Sequence, residues 1–229
     1  MAVKSYDVVT INSDGHWEMY TEDSNGSSAS NASVADNISS PVSGNLTVGT
    51  DYTAGGRTNT WRVYRIVYRF LNTLRAKGTI EIHNGSVSTP HVVLSVDTMA
   101  APDDASGDRD VVSAALIPDP VSNVSMWDDY GANTIGNTIY GRGYPVGEEF
   151  DFTTSSSVEE FENAINAGVT DYIGIMLIHK QDFDCDFDSS NTLDSADTRC
   201  YFPPYNVVSG YPKLQIHYRV APLMISMWA

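Results

Sequence analysis

The sequence predicts an all-β protein, a jelly-roll-like antiparallel β-sandwich with one short helix. Three observations predict it. Short segments alternating apolar and polar residues recur along the chain. Gly, Pro, Asn, Asp and Ser separate them as turn residues. Only one segment carries helical periodicity with a start signal. Many short strands punctuated by turns suit two packed antiparallel sheets. At 229 residues the chain suits one large all-β domain and can bury a core without staples.

Residues 6–11 (YDVVTI) and 16–20 (HWEMY) read as short strands around a Ser13-Asp14-Gly15 turn. Residues 21–49 show no apolar period, so they read as a long loop or an arm laid over a surface. Residues 60–70 (TWRVYRIVYRF) form the clearest strand. Arg62, Tyr64, Ile66, Tyr68 and Phe70 share a mostly apolar face that should point inward; Trp61, Val63, Arg65, Val67 and Arg69 lie on the other. Residues 79–83 and 91–96 follow as strands, then an acidic loop at 100–110. Residues 123–147 are rich in Gly, Asn and aromatics. Residues 148–153 (EEFDFT) put Phe150 and Phe152 inward. Ser157 and Glu160 have capping-box spacing and open a helix with Val158, Phe161 and Ile165 on one face. Residues 172–179 (YIGIMLIH) are almost continuously apolar, as in a central strand covered on both sides. Residues 213–219 (KLQIHYR) alternate again. Residues 1–59 therefore hold N-terminal strands and an arm of the same domain, 60–219 its core, and 220–229 an apolar tail.

The formal net charge is -16, and the only lysines are Lys4, Lys77, Lys180 and Lys213. This balance excludes nucleic acid and anionic membranes as partners, since both need clustered cations. The N-terminus lacks the apolar region of a secretory signal, and no apolar run reaches membrane-span length. Synthesis in a host cytoplasm and release by lysis fit this combination.

Enzyme signatures are absent: there is no G-x-S-x-G, no P-loop and no H-E-x-x-H. His179 and His217 lie on strands that could be neighbours, but satisfied or exposed histidines are the simpler reading. Glu148, Glu149, Glu159, Glu160 and Glu162 could supply a glycosidase pair, yet those at the helix start suit its dipole. The expectation is a protein that is not an enzyme. Trp127, Asp128, Asp129, Tyr130 and Tyr144 form a candidate sugar site, with aromatic faces for the ring and carboxylates for hydroxyls. The alternative is that these rings anchor a loop or meet another subunit. The Asp-rich run 182–200 contains a calcium-loop register: Asp186, Asp188, Ser190, Thr192 through its carbonyl, Asp194 and Asp197. Calcium is the one cofactor it suggests; the alternative is a solvated acidic loop. Cys185 and Cys200 flank that loop, and a disulfide there would close about fifteen residues, worth roughly 3 kcal/mol; free thiols are the alternative. Leu223, Met224, Ile225 and Trp228 would make a sticky patch if exposed, so docking on another chain is expected.

The C-terminal half has a recognisable order. Phe150-Asp151-Phe152 precedes the helix 158–167, followed by Gly168-Val169-Thr170-Asp171-Tyr172-Ile173-Gly174-Ile175, a loop, and Tyr211-Pro212-Lys213-Leu214-Gln215-Ile216-His217-Tyr218. It resembles a β-sandwich family of phage structural proteins and the carbohydrate-binding-like modules labelled DNRLRE. The match runs from about Trp61 to Tyr218 and rests on strand patterns. It implies a fold and a virion or surface setting, and carries over no active-site residues. The expected function is a non-enzymatic virion structural protein, a capsid decoration or exterior head component of a bacteriophage. Its partners would be other virion proteins and copies of itself. The alternative is a glycan-binding adhesion module of a phage tail or cell surface, facing a host-surface glycan.

Overall fold

A computed structural model describes residues 6–41, 44–53, 59–83, 92–96, 112–117, 120, 123–128, 148–152, 155–167, 171–183, 187, 199–204 and 212–221. The fold is all-β, and its described strand pairs are antiparallel.

Strand β1 (Asp7–Asp23) connects the two halves of the sheet. Its first part, Asp7–Asn12, pairs with the last strand, Lys213–Val220, and its second part with Thr60–Leu71. The expected turn at Ser13-Asp14-Gly15 is instead a register shift inside one strand. Ser13 fixes it: its hydroxyl donates to the carbonyls of Gly15 (2.8 Å) and Arg69 (3.0 Å), and its N–H donates to Pro212 (2.8 Å). A bulge bends a strand without reversing it, which carries β1 from one half to the other.

The segment 21–49 is neither a long loop nor an arm. It holds the short helix α1 (Gly26–Ser30), β2 (Asn37–Ser39) and the start of β3 (Leu46–Thr53). Asn25 caps α1, its side-chain oxygen accepting from the Ser28 N–H at 3.2 Å. The pattern of β3 was hidden by Gly49, whose φ of 119° is open to glycine. Leu46 and Val48 enter the main core, yet Tyr52, of the same parity, stacks on Trp61 on the opposite side.

In chain order the remaining strands are β4 (Thr60–Leu71), β5 (Ile80–Ile82), β6 (Val92–Val96), β7 (Val112–Ile117), β8 (Glu148–Phe152), β9 (Tyr172–His179), β10 (Cys200–Phe202) and β11 (Lys213–Val220). One half joins β1, β11, β6 and β8, with β5 also on β11. The other joins β1, β4, β3 and β10, with β9 on β4, β7 on β9 and β2 on β1. Between them lies the main core. It includes Ile66, Tyr68, Phe70, Ile175, Leu177, Phe150, Phe152, Leu214 and Ile216, as the alternation predicted. Helix α2 (Ser155–Asn166) adds Val158, Phe161 and Ile165, starting two residues before the expected cap.

The other face of β4 is covered as well. Val63 and Val67 pack with Trp17, Met19, Met176 and Ile178 in a second core, covered by Ala29 of α1 and by Met126 and Trp127 of a 3-10 turn, Val124–Asp128. Strand β9 is thus apolar on both faces because both are covered. Gly174 lets this cover approach: a Cβ there would lie 2.8 Å from the Pro120 Cβ.

Candidate functional site

The largest polar assembly is buried in the second core. Arg65 projects from β4 into it and is 1% exposed. A buried guanidinium is costly unless its donors are filled. Asp182, in the short helix α3 (Lys180–Phe183), meets it side-on, with Nε to Oδ2 at 2.6 Å and Nη2 to Oδ1 at 2.8 Å. Nη1 donates to the Trp127 carbonyl at 2.6 Å and Nη2 to the Ser30 carbonyl at 3.1 Å. The Ser30 hydroxyl donates to Asp182 Oδ1 at 2.7 Å. The guanidinium carbon sits 3.9 Å from the centre of the Trp127 ring. One ion pair therefore ties α1, β4, the 3-10 turn and α3 together. Sequence reasoning missed it: Arg65 shared its face with Trp61, Val63 and Val67 without a partner in view, and Asp182 looked like the first acid of a wet loop.

This geometry corrects the sugar-site expectation at Trp127. The indole is fully buried and Arg65 covers its face, so it anchors the core, the alternative raised for these rings. Asp128 is exposed beside it. Asp129, Tyr130 and Tyr144 lie outside the described residues. So do all six calcium-register residues, Asp186, Asp188, Ser190, Thr192, Asp194 and Asp197, and the docking residues Leu223, Met224, Ile225 and Trp228. Cys200 is buried on β10, paired across to Val48 of β3; Cys185 lies outside the described residues. Among the described residues no group of three or more His, Cys, Asp or Glu is arranged to hold a metal ion.

Two further expectations change. His179 and His217 are not on neighbouring strands: β9 pairs with β4 and β7, and β11 with β1, β5 and β6. Among the described side chains, the glutamates of α2 are turned to other uses or to solvent. The Glu162 carboxylate accepts the Ile82 N–H at 3.0 Å, Glu159 is exposed, and Glu148 and Glu149 are placed on β8. His16 is satisfied, its ring N–H donating to the Pro41 carbonyl at 2.8 Å; burial lowers its pKa below the usual histidine value.

The half-exposed surface richest in binding chemistry lies where β1, β3 and β4 run past the main core. The register sets Tyr20 against Tyr64 and Glu22 against Arg62, all on one face. Arg62 pairs with Glu22 and stacks over Tyr20, 4.8 Å from its ring centre. Asp51 sits across from Arg62 and lies 3.8 Å from Arg199. Glu18, one register step inward, accepts the Thr47 N–H at 2.6 Å; burial raises its pKa above the usual carboxylate value despite that bond. On the reverse face Trp61 packs against Tyr52 (4.9 Å between ring centres) and Phe187 (5.6 Å). Aromatic faces beside paired charges can bind a ligand or partner.

No protein-family model matches the chain, and no curated protein is similar to it.

Proposed function

We propose that this chain is a non-enzymatic virion structural protein, an exterior component of a bacteriophage head that packs against other virion proteins and copies of itself. The observation that carries the reading is the contrast at the end of β11. Just past β11 the Ala221 N–H donates to the Thr79 carbonyl at 2.8 Å. Eight residues with no charged side chain, PLMISMWA, follow in a chain of net charge -16. A segment so unlike its acidic domain suits burial against another chain. The use of the buried Arg65–Asp182 pair as an internal tie rather than an open site agrees with a structural role. The jelly-roll-like sandwich implied by the family resemblance belongs to the same reading, supported by two antiparallel halves around one core.

Truncation after Ala221 tests it. The shortened chain should keep its melting temperature and fail to join particles assembled with it in place of the full chain. Normal incorporation would sink the proposal.

A second reading, glycan binding, is favoured by Tyr20 and Tyr64 around Arg62, in place of the buried Trp127. Retention on immobilised host polysaccharide that Tyr64→Ala and Tyr20→Ala both abolish, with melting unchanged, would select it over the first.

A further inference from the structure

His83 and His217 stand directly across from one another. Tyr218 pairs with Ile82 and Arg219 with Glu81, and one step further the His83 N–H donates to the His217 carbonyl at 2.8 Å. Residues directly opposite in an antiparallel ladder share a face, with Cβ atoms about 4.5–5.5 Å apart. That face is the outer one, because Ile82 and Tyr218, of opposite parity, point into the main core. Both imidazoles are partly exposed. On the far side of His217 the register places Val8, which is half exposed. The Tyr6 ring meets His83 edge-on at 4.4 Å and 87°, which restrains that imidazole.

We propose that His83 and His217 form a two-histidine site for a divalent first-row transition ion of the nickel, copper or zinc class, with water completing the coordination. Imidazole is the side chain these borderline cations favour, whereas calcium and magnesium prefer oxygen. An ion held there would staple β5 to β11, and β5 is only three residues long. Burial first, and the nearby His83 second, lower the pKa of His217 below the usual histidine value. Among the described residues, the charged and titratable groups on this face include Tyr6 just before β1, Glu81 of β5, and Arg219 and, further along, Lys213 of β11. Glu81 and Arg219 are paired with each other, which leaves the imidazoles as the donors.

The test uses the untagged full chain and nickel(II) chloride. At pH 7.5 and millimolar nickel the melting temperature should rise by roughly 3–6 °C, the shift expected for ligand in about tenfold excess over its dissociation constant. His83→Ala and His217→Ala should each abolish the rise while leaving metal-free melting nearly unchanged. His83→Asn and His217→Asn, which keep a polar group, repeat the test if an alanine variant folds poorly. Lowering the pH to 5.5 should remove the effect as protons compete for the ring nitrogens. No rise in the parent protein, or a rise that survives in the double variant, would overturn the proposal; the latter would place the ion elsewhere on the chain.

Discussion

Arg65 shows how much one side chain can hold. It bridges four elements, and its partners are buried with it. Removing one member of a buried pair leaves the other charged and unpaired, at a cost of about 3–5 kcal/mol. Asp182→Ala should therefore lower unfolding stability by that amount in urea melts. Arg65→Met with Asp182→Leu should lose less than Asp182→Ala alone; an additive loss would mean that the pair is not coupled. Arg65→Lys should behave as a disruption, since an ammonium cannot make the side-on contact. Glu18 permits a second prediction, with its sign fixed by its raised pKa. Between the unfolded value and the raised folded value the native state binds the extra proton. Stability from this group is therefore present at acid pH and is lost as pH rises through that window. Glu18→Gln should raise the melting temperature at pH 7.5 and change it little at pH 4. An equal shift at both pH values would show that ionisation is not the cause.

The strands legible in the sequence were those covered evenly along their length. β8, β9 and β11 alternate or run apolar without interruption, and α2 shows its buried stripe. β3 was hidden because Gly49 switches its face, and β7 because small residues such as Ala114 carry little periodic signal. The cover over the second face of β4 was not legible because α1 and the 3-10 turn, both short, supply it. β5 illustrates a different device. Its edge away from β11 is closed by a side chain: Asn166 of α2 accepts the Ile80 N–H and donates to the Ile80 carbonyl, both at 2.9 Å. An exposed strand edge invites pairing with other chains, and this amide occupies it. Asn166→Ala should destabilise the protein by about 1–2 kcal/mol and speed hydrogen exchange at Ile80. Asn166→Asp keeps the acceptor and should protect the Ile80 amide far better; equal exchange in both variants would refute the side-chain closure.

The two halves cannot be separated along the chain. β1 lies between β4 and β11, and β3 between β4 and β10, so residues 7–53 supply inner strands to a sheet otherwise built from later segments. The candidate site was less legible than the sheet for the same reason. Tyr20, Asp51, Arg62 and Arg199 come from four separate stretches, and only the strand registers bring them together. Charge acts across this single unit. With 29 acidic and 13 basic side chains the folded protein repels itself more than the expanded chain does. Salt should therefore stabilise it. Screening lengths fall from about 30 Å at 0.01 M to about 10 Å at 0.1 M and about 3 Å at 1 M. Repulsion spread over a surface is thus relieved mostly below about 0.2 M, whereas the buried Arg65–Asp182 pair is screened little. The melting temperature in sodium chloride should climb steeply at first and then flatten, in one cooperative transition. A steady climb to 1 M would point to salt exclusion from apolar surface instead. A flat profile from the lowest salt would mean that local ion pairs such as Arg62–Glu22 and Arg219–Glu81 already balance the acidic excess.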